Sequence, residues 1–138
     1  MHSYREEAAK ALVNLLGSPV SRRCVIALPP SGLMGGYLRA VKKAGGVSVA
    51  LIDRPENIVR RLRFYNADSK PIDKVVTSEE RPLYVREIRK DMTYFRKSYE
   101  RADLRLDISG LGAGQAARRI RQALEGLRVS SESFAADQ

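Results

Sequence analysis

A chain of 138 residues carrying 25 Lys and Arg against 16 Asp and Glu has a formal charge of +9. Such a field draws anions of every kind: nucleotides, phosphorylated or carboxylated metabolites, nucleic acid. The 43% hydrophobic and 30% charged residues fit one globular domain and exclude a wholly disordered chain.

No apolar run approaches the ~18 residues of a membrane span. The start, MHSYREEAAK, does not read as a signal peptide. The single cysteine, Cys24, cannot form an internal disulfide and reads as a small core residue. Together these features predict a cytoplasmic protein.

In chain order, Tyr4, Ala8, Leu12 and Leu15 recur at helical spacing and predict a first helix over 4–16, stopped at Gly17. Residues 24–28 (CVIAL) form a short apolar run expected of a strand buried on both faces. Pro29, Pro30, Ser31 and Gly32 end it, since a proline cannot donate to a ladder. Met34, Tyr37, Leu38 and Val41 then mark a helix over 33–44. Gly45 and Gly46 terminate that helix before a second buried strand over 47–52. Asp53-Arg54-Pro55-Glu56 reads as a helix start, because a proline in the first turn has no bond to lose. Ile58, Val59 and Leu62 face inward from it.

The polar stretch 66–78, with Pro71 inside it, predicts a mobile, lid-like loop. A long helix over 81–101 follows, with an apolar stripe of Val85, Ile88, Met92, Phe95 and Tyr99 and a cationic face of Arg86, Arg89, Lys90, Arg96 and Lys97. A third strand is expected over 104–108. A closing helix over 113–127 turns Ala116, Ile120, Leu124 and Leu127 inward, and a flexible tail is expected over 129–138. Strands alternating with helices give a parallel sheet of about three strands covered by helices, in one domain over 1–128.

Four segments of this chain resemble shikimate kinase, a family of the nucleoside-monophosphate-kinase-like P-loop group. Tyr4-Arg5 resembles the family's Phe-Arg pair, and Val25-Ile26-Ala27-Leu28 with its tight turn resembles its VIALGGG strand. Residues 47–62 resemble the next strand and the helix beginning SPEELLRRL. Arg96, Tyr99 and Ala102-Asp103 resemble the family's Arg…Tyr…Ala-Asp segment. The resemblance spans nearly the whole chain but only about the C-terminal two-thirds of a family member.

The resemblance implies a partial P-loop kinase fold that phosphorylates shikimate with ATP and magnesium in aromatic amino-acid biosynthesis. It places Arg5 on the substrate carboxylate, Ser31 and Gly32 in the substrate loop, and Arg96 at substrate and phosphate. Arg60 and Arg61 stand where the family stacks arginines on adenine, although the residues by themselves favour a solvated helix face over that role. The lid cation is either Lys70, favoured by spacing, or Arg81, which lies in a literal Arg-Pro-Leu.

The sequence departs from the family at three points: Arg96 to Tyr99 is one residue shorter than the family's spacing, and two further differences touch the phosphate and substrate loops. GxxxxGK[ST] appears nowhere, so neither a phosphate cradle nor a magnesium site is identifiable. Pro29 and Pro30 replace glycines whose N–H groups would meet substrate. The expectation is a truncated or degenerate kinase, inactive alone. The family's phosphate-loop strand would lie between 24–28 and 47–52; without it those strands keep open edges, which predicts a homodimer or a partner supplying a strand. The alternative is a non-catalytic module binding an anionic metabolite or nucleic acid. Nucleic acid is disfavoured, because Tyr94 is the one good stacking aromatic on the basic face.

Overall fold

The computed structural model describes residues 2–28 and 36–136. Helix α1 (His2–Gly17) is followed by a short 3-10 helix (Pro19–Arg23) and α2 (Gly36–Lys43). Strand β1 (Val49–Ile52) leads into α3 (Pro55–Arg61), then the short strands β2 (Phe64–Tyr65) and β3 (Pro71–Ile72). Helix α4 (Arg81–Glu100), strand β4 (Leu104–Asp107) and helix α5 (Ala113–Ala136) complete the order. The architecture is mixed α/β: β1 pairs with β4 in a two-stranded parallel sheet, and β2 with β3 in a separate antiparallel pair.

Two bonds outside the strands register the parallel pair. Leu104 N–H donates to Ser48 O at 3.0 Å and Ile108 N–H to Ile52 O at 2.9 Å, the same offset at both ends, as in parallel strands. The chain divides into two compact units, residues 1–50 with 95–105 and residues 51–94 with 106–138.

In the first unit α1 buries Leu12 and β1 buries Ala50. Helix α2 ends in a Schellman motif: Gly46 N–H donates to Val41 O at 2.9 Å and Gly45 N–H to Lys42 O at 3.0 Å. Gly45 supplies the left-handed residue, with φ of 78°. Gly46 lies so close to α2 that an added Cβ would sit 2.8 Å from Val41 Cγ1 and 3.2 Å from Val41 O. Because a valine has little rotamer freedom on a helix, Gly46→Ala should destabilise the protein by about 1–3 kcal/mol. Urea denaturation measures this, and an unchanged midpoint would refute it.

The expected first strand does not form. Residues 24–28 carry no strand, and Val25 is wholly exposed. Cys24 does not pack as a core residue; it is exposed, and its thiol donates to Val20 O at 2.8 Å, back into the 3-10 helix. The apolar run makes these residues capable of burial, but a strand exists only through a neighbour, and no ladder reaches them among the described residues. The sheet therefore has two parallel strands where three were expected.

In the second unit Val59 of α3, Ile108 after β4 and Ala116 of α5 are buried. The stretch expected as a mobile loop begins as a hairpin, with Phe64 opposite Ile72 and Tyr65 opposite Pro71. Asn66 closes its turn: its side-chain oxygen accepts from Asp68 N–H and Lys70 N–H, each at 3.0 Å. Phe64 meets Tyr84 edge-on at 5.9 Å, and Lys74 lies over both rings. Helix α4 starts where Thr77 caps it, accepting from Glu80 N–H at 3.2 Å. Its apolar stripe is half-buried along its length. Helix α5 runs to Ala136, past the expected end at Leu127, so the predicted tail is helical over most of its length.

Candidate functional site

Open parallel sheets present ligands at the carboxyl ends of their strands. Here that end carries a knot of polar side chains built on Asp53, which follows β1 directly and is only 6% exposed. Its Oδ1 accepts from Arg54 N–H at 2.7 Å, Asn57 Nδ2 at 2.8 Å and Ser109 Oγ at 3.1 Å. Its Oδ2 accepts from Arg61 Nε at 3.0 Å. Arg61 reaches further, donating through Nη2 to Ile108 O at 3.1 Å and Leu111 O at 3.0 Å.

Local sequence explains the geometry. Pro55 starts α3 at once, so Asp53 sits beside the free N–H groups of a helix start. Asn57 and Arg61 follow at intervals of four and return along one face toward Asp53. Burial pushes the Asp53 carboxyl up, but the hydrogen bonds from Asn57, Arg54 N–H and Ser109, with the Arg61 charge, outweigh it and hold the group below its ordinary value. Asp53 is thus a committed anion whose lone pairs meet protein donors, a poor proton acceptor at neutral pH.

At the amino ends of the same strands lies a second clasp. Ser48 N–H and Oγ both donate to Asp103 Oδ2, at 2.8 and 3.0 Å, and Asp103 N–H donates back to Ser48 Oγ at 3.0 Å. The Ala102-Asp103 pair thereby fixes where β4 begins against β1.

The residues expected at a site lie on several different elements. Arg5 lies on α1, and Ser31 and Gly32 fall outside the described residues. Arg96 is exposed on α4 and pairs with Glu100 one turn on, at 3.1 Å. Lys70 stands in the β2–β3 turn and Arg81 opens α4; no hydrogen bond or ion pair joins either side chain to the Asp53 knot. Arg60 is exposed on α3, while its neighbour Arg61 is the knot's cation. Asp53, Asn57 and Ser109 were not singled out from sequence as site residues. The available signal was an aspartate placed between an apolar run and a proline.

Comparison with protein-family profiles, with curated proteins and with solved structures finds no match. The shikimate-kinase resemblance rests on the residues that carry it. Among the described residues the magnesium it implies finds no acidic cluster to hold it: no three His, Cys, Asp or Glu side chains gather, and Asp53 is filled by protein donors. Nor is any described helix long and apolar enough to cross a membrane.

Proposed function

We propose that the chain is a shikimate-kinase-like protein that binds a shikimate-like carboxylate and, as these 138 residues, does not transfer phosphate unaided. One observation supports this above the others. Two of the segments that carry the resemblance, 47–62 and the one that runs from Arg96 into the following strand, are distant in sequence yet contain the parallel strands β1 and β4 that pair with each other. The first of them runs straight into the Pro55-started helix with its Arg60-Arg61 pair. In this reading Arg5 holds the carboxylate and Arg96 meets substrate and phosphate, with Lys70 or Arg81 as the lid cation. Without a phosphate cradle the principal electrostatic component is missing, a loss on the order of 10² to 10³ in rate or more.

Isothermal calorimetry with shikimate and with ATP tests the reading. Shikimate should bind, and Arg5→Ala should weaken it by about tenfold or more, the scale of a charge-assisted hydrogen bond. Absence of shikimate binding would overturn the proposal. Self-association belongs to the same reading. Strands β1 and β4 pair only with each other among the described residues, and Leu51 and Ile52 of β1 are 48% and 38% exposed. Light scattering should therefore report a dimer, and a stable monomer would refute that part.

A nucleic-acid surface is the weaker reading. Tyr94 is exposed on the cationic face of α4, but Arg89 there pairs with Glu56 at 2.9 Å and Lys90 with Glu87 at 3.2 Å. Two of the cations such a surface would use are already partly neutralised.

A further inference from the structure

A pocket of about 470 Å³ opens in the first unit at the amino ends of β1 and β4. It therefore differs in place from the carboxyl-end site that parallel sheets generally use. Arg39 and Lys42, one helical turn apart on α2, line it together with Arg101 from the turn after α4. Its apolar wall is Leu38 and Val41, and the Ser48–Asp103 clasp completes it.

Among the described residues no carboxylate pairs with Arg39, Lys42 or Arg101, whereas Arg89, Lys90 and Arg96 on α4 each pair with a glutamate. Three cations against the single carboxylate of Asp103 leave a formal surplus of two positive charges in the lining. Compensation of helix dipoles accounts for Lys42 and Arg101, each near a helix C-terminus. It does not account for Arg39, for the apolar wall, or for a carboxylate set among the cations.

The clasp uses only Oδ2 of Asp103, twice; among the described residues no hydrogen bond engages Oδ1, and Asp103 lines the pocket. We propose that this pocket binds a small phosphorylated polyol. A phosphate monoester carries ~1.5 to 2 negative charges at neutral pH, which matches the surplus. Arg39, Lys42 and Arg101 hold the phosphate, Asp103 Oδ1 accepts from a hydroxyl, and Leu38 with Val41 packs against the carbon skeleton. The volume is in the range of small-molecule sites, roughly 300–1,000 Å³. This proposal does not depend on the shikimate-kinase-like reading, since none of the ligand-binding residues of that reading, Arg5, Arg96, Lys70 or Arg81, lines the pocket.

The test is an amide NMR titration of the full chain with glycerol 3-phosphate at constant ionic strength. Saturable shifts are expected at Ser48, Arg101 and Asp103. Arg39→Gln and Arg101→Gln should each weaken binding about tenfold; both are exposed positions, and the spectra themselves report whether the variants fold. Arg86→Gln removes the same charge from the exposed face of α4 and should leave the affinity unchanged. Glycerol should not bind, and inorganic phosphate should bind more weakly than the ester. A weakening by Arg86→Gln equal to that of Arg101→Gln would reduce the effect to the protein's net charge and overturn the site. So would the absence of saturable shifts, and phosphate binding as tightly as the ester would overturn the polyol.

Discussion

Replacing Asp53 with alanine should lower the unfolding free energy by about 2–3 kcal/mol, below the ~3–5 kcal/mol typical of breaking a fully buried pair. The reduction reflects the partner: the Arg61 side chain is 39% exposed, so water offsets part of its loss. Asn57, Ser109 and the N–H of Arg54 lose an acceptor together, and each buried unsatisfied donor costs about 1–3 kcal/mol before relaxation. Thermal unfolding should shift down by about 10 °C. A shift within the error of the wild-type melt would sink the claim that this knot holds α3 to the end of β4.

The same carboxyl sets a pH signature. Its value in the folded state lies below the ordinary one, so the folded protein holds on to the anion more strongly than the unfolded chain does. The resulting stability is fully present above the unfolded-state value of about 3.9. It is lost as pH falls from there through the folded-state value. Asp53→Asn should therefore flatten the acid limb of the stability profile while leaving its slope at neutral pH unchanged.

The elements legible in the sequence are those whose signal is local. Val85, Ile88, Met92, Phe95 and Tyr99 mark α4 by spacing alone, and Pro55 fixes the start of α3. Residues 24–28 carry the composition of a buried strand, yet composition states only that burial is favourable, while a strand requires a partner in space. The β2–β3 hairpin was illegible for the opposite reason. Its turn is closed by the Asn66 side chain and its strands are braced by Phe64 on Tyr84, contacts that leave no periodicity in a polar segment. The Asp53 knot combines both cases. Asn57 and Arg61 lie on the same helix and could be read from their spacing, whereas Ser109 and the Ile108 and Leu111 carbonyls arrive from about fifty residues away.

Arg61 separates structural from ligand-binding roles on α3. Arg61→Ala should cost about 2 kcal/mol: Asp53 keeps its other three donors but loses its charge partner, and the Leu111 carbonyl loses its donor while Ile108 O keeps Leu111 N–H. Arg61→Lys should recover less than half of that, because an ammonium cannot reproduce a planar fork reaching a carboxylate and two carbonyls at once. Arg60→Ala, one residue away and exposed, should stay within about 0.5 kcal/mol of wild type. Urea denaturation of the three variants decides the matter, and equal effects of Arg60→Ala and Arg61→Ala would refute it.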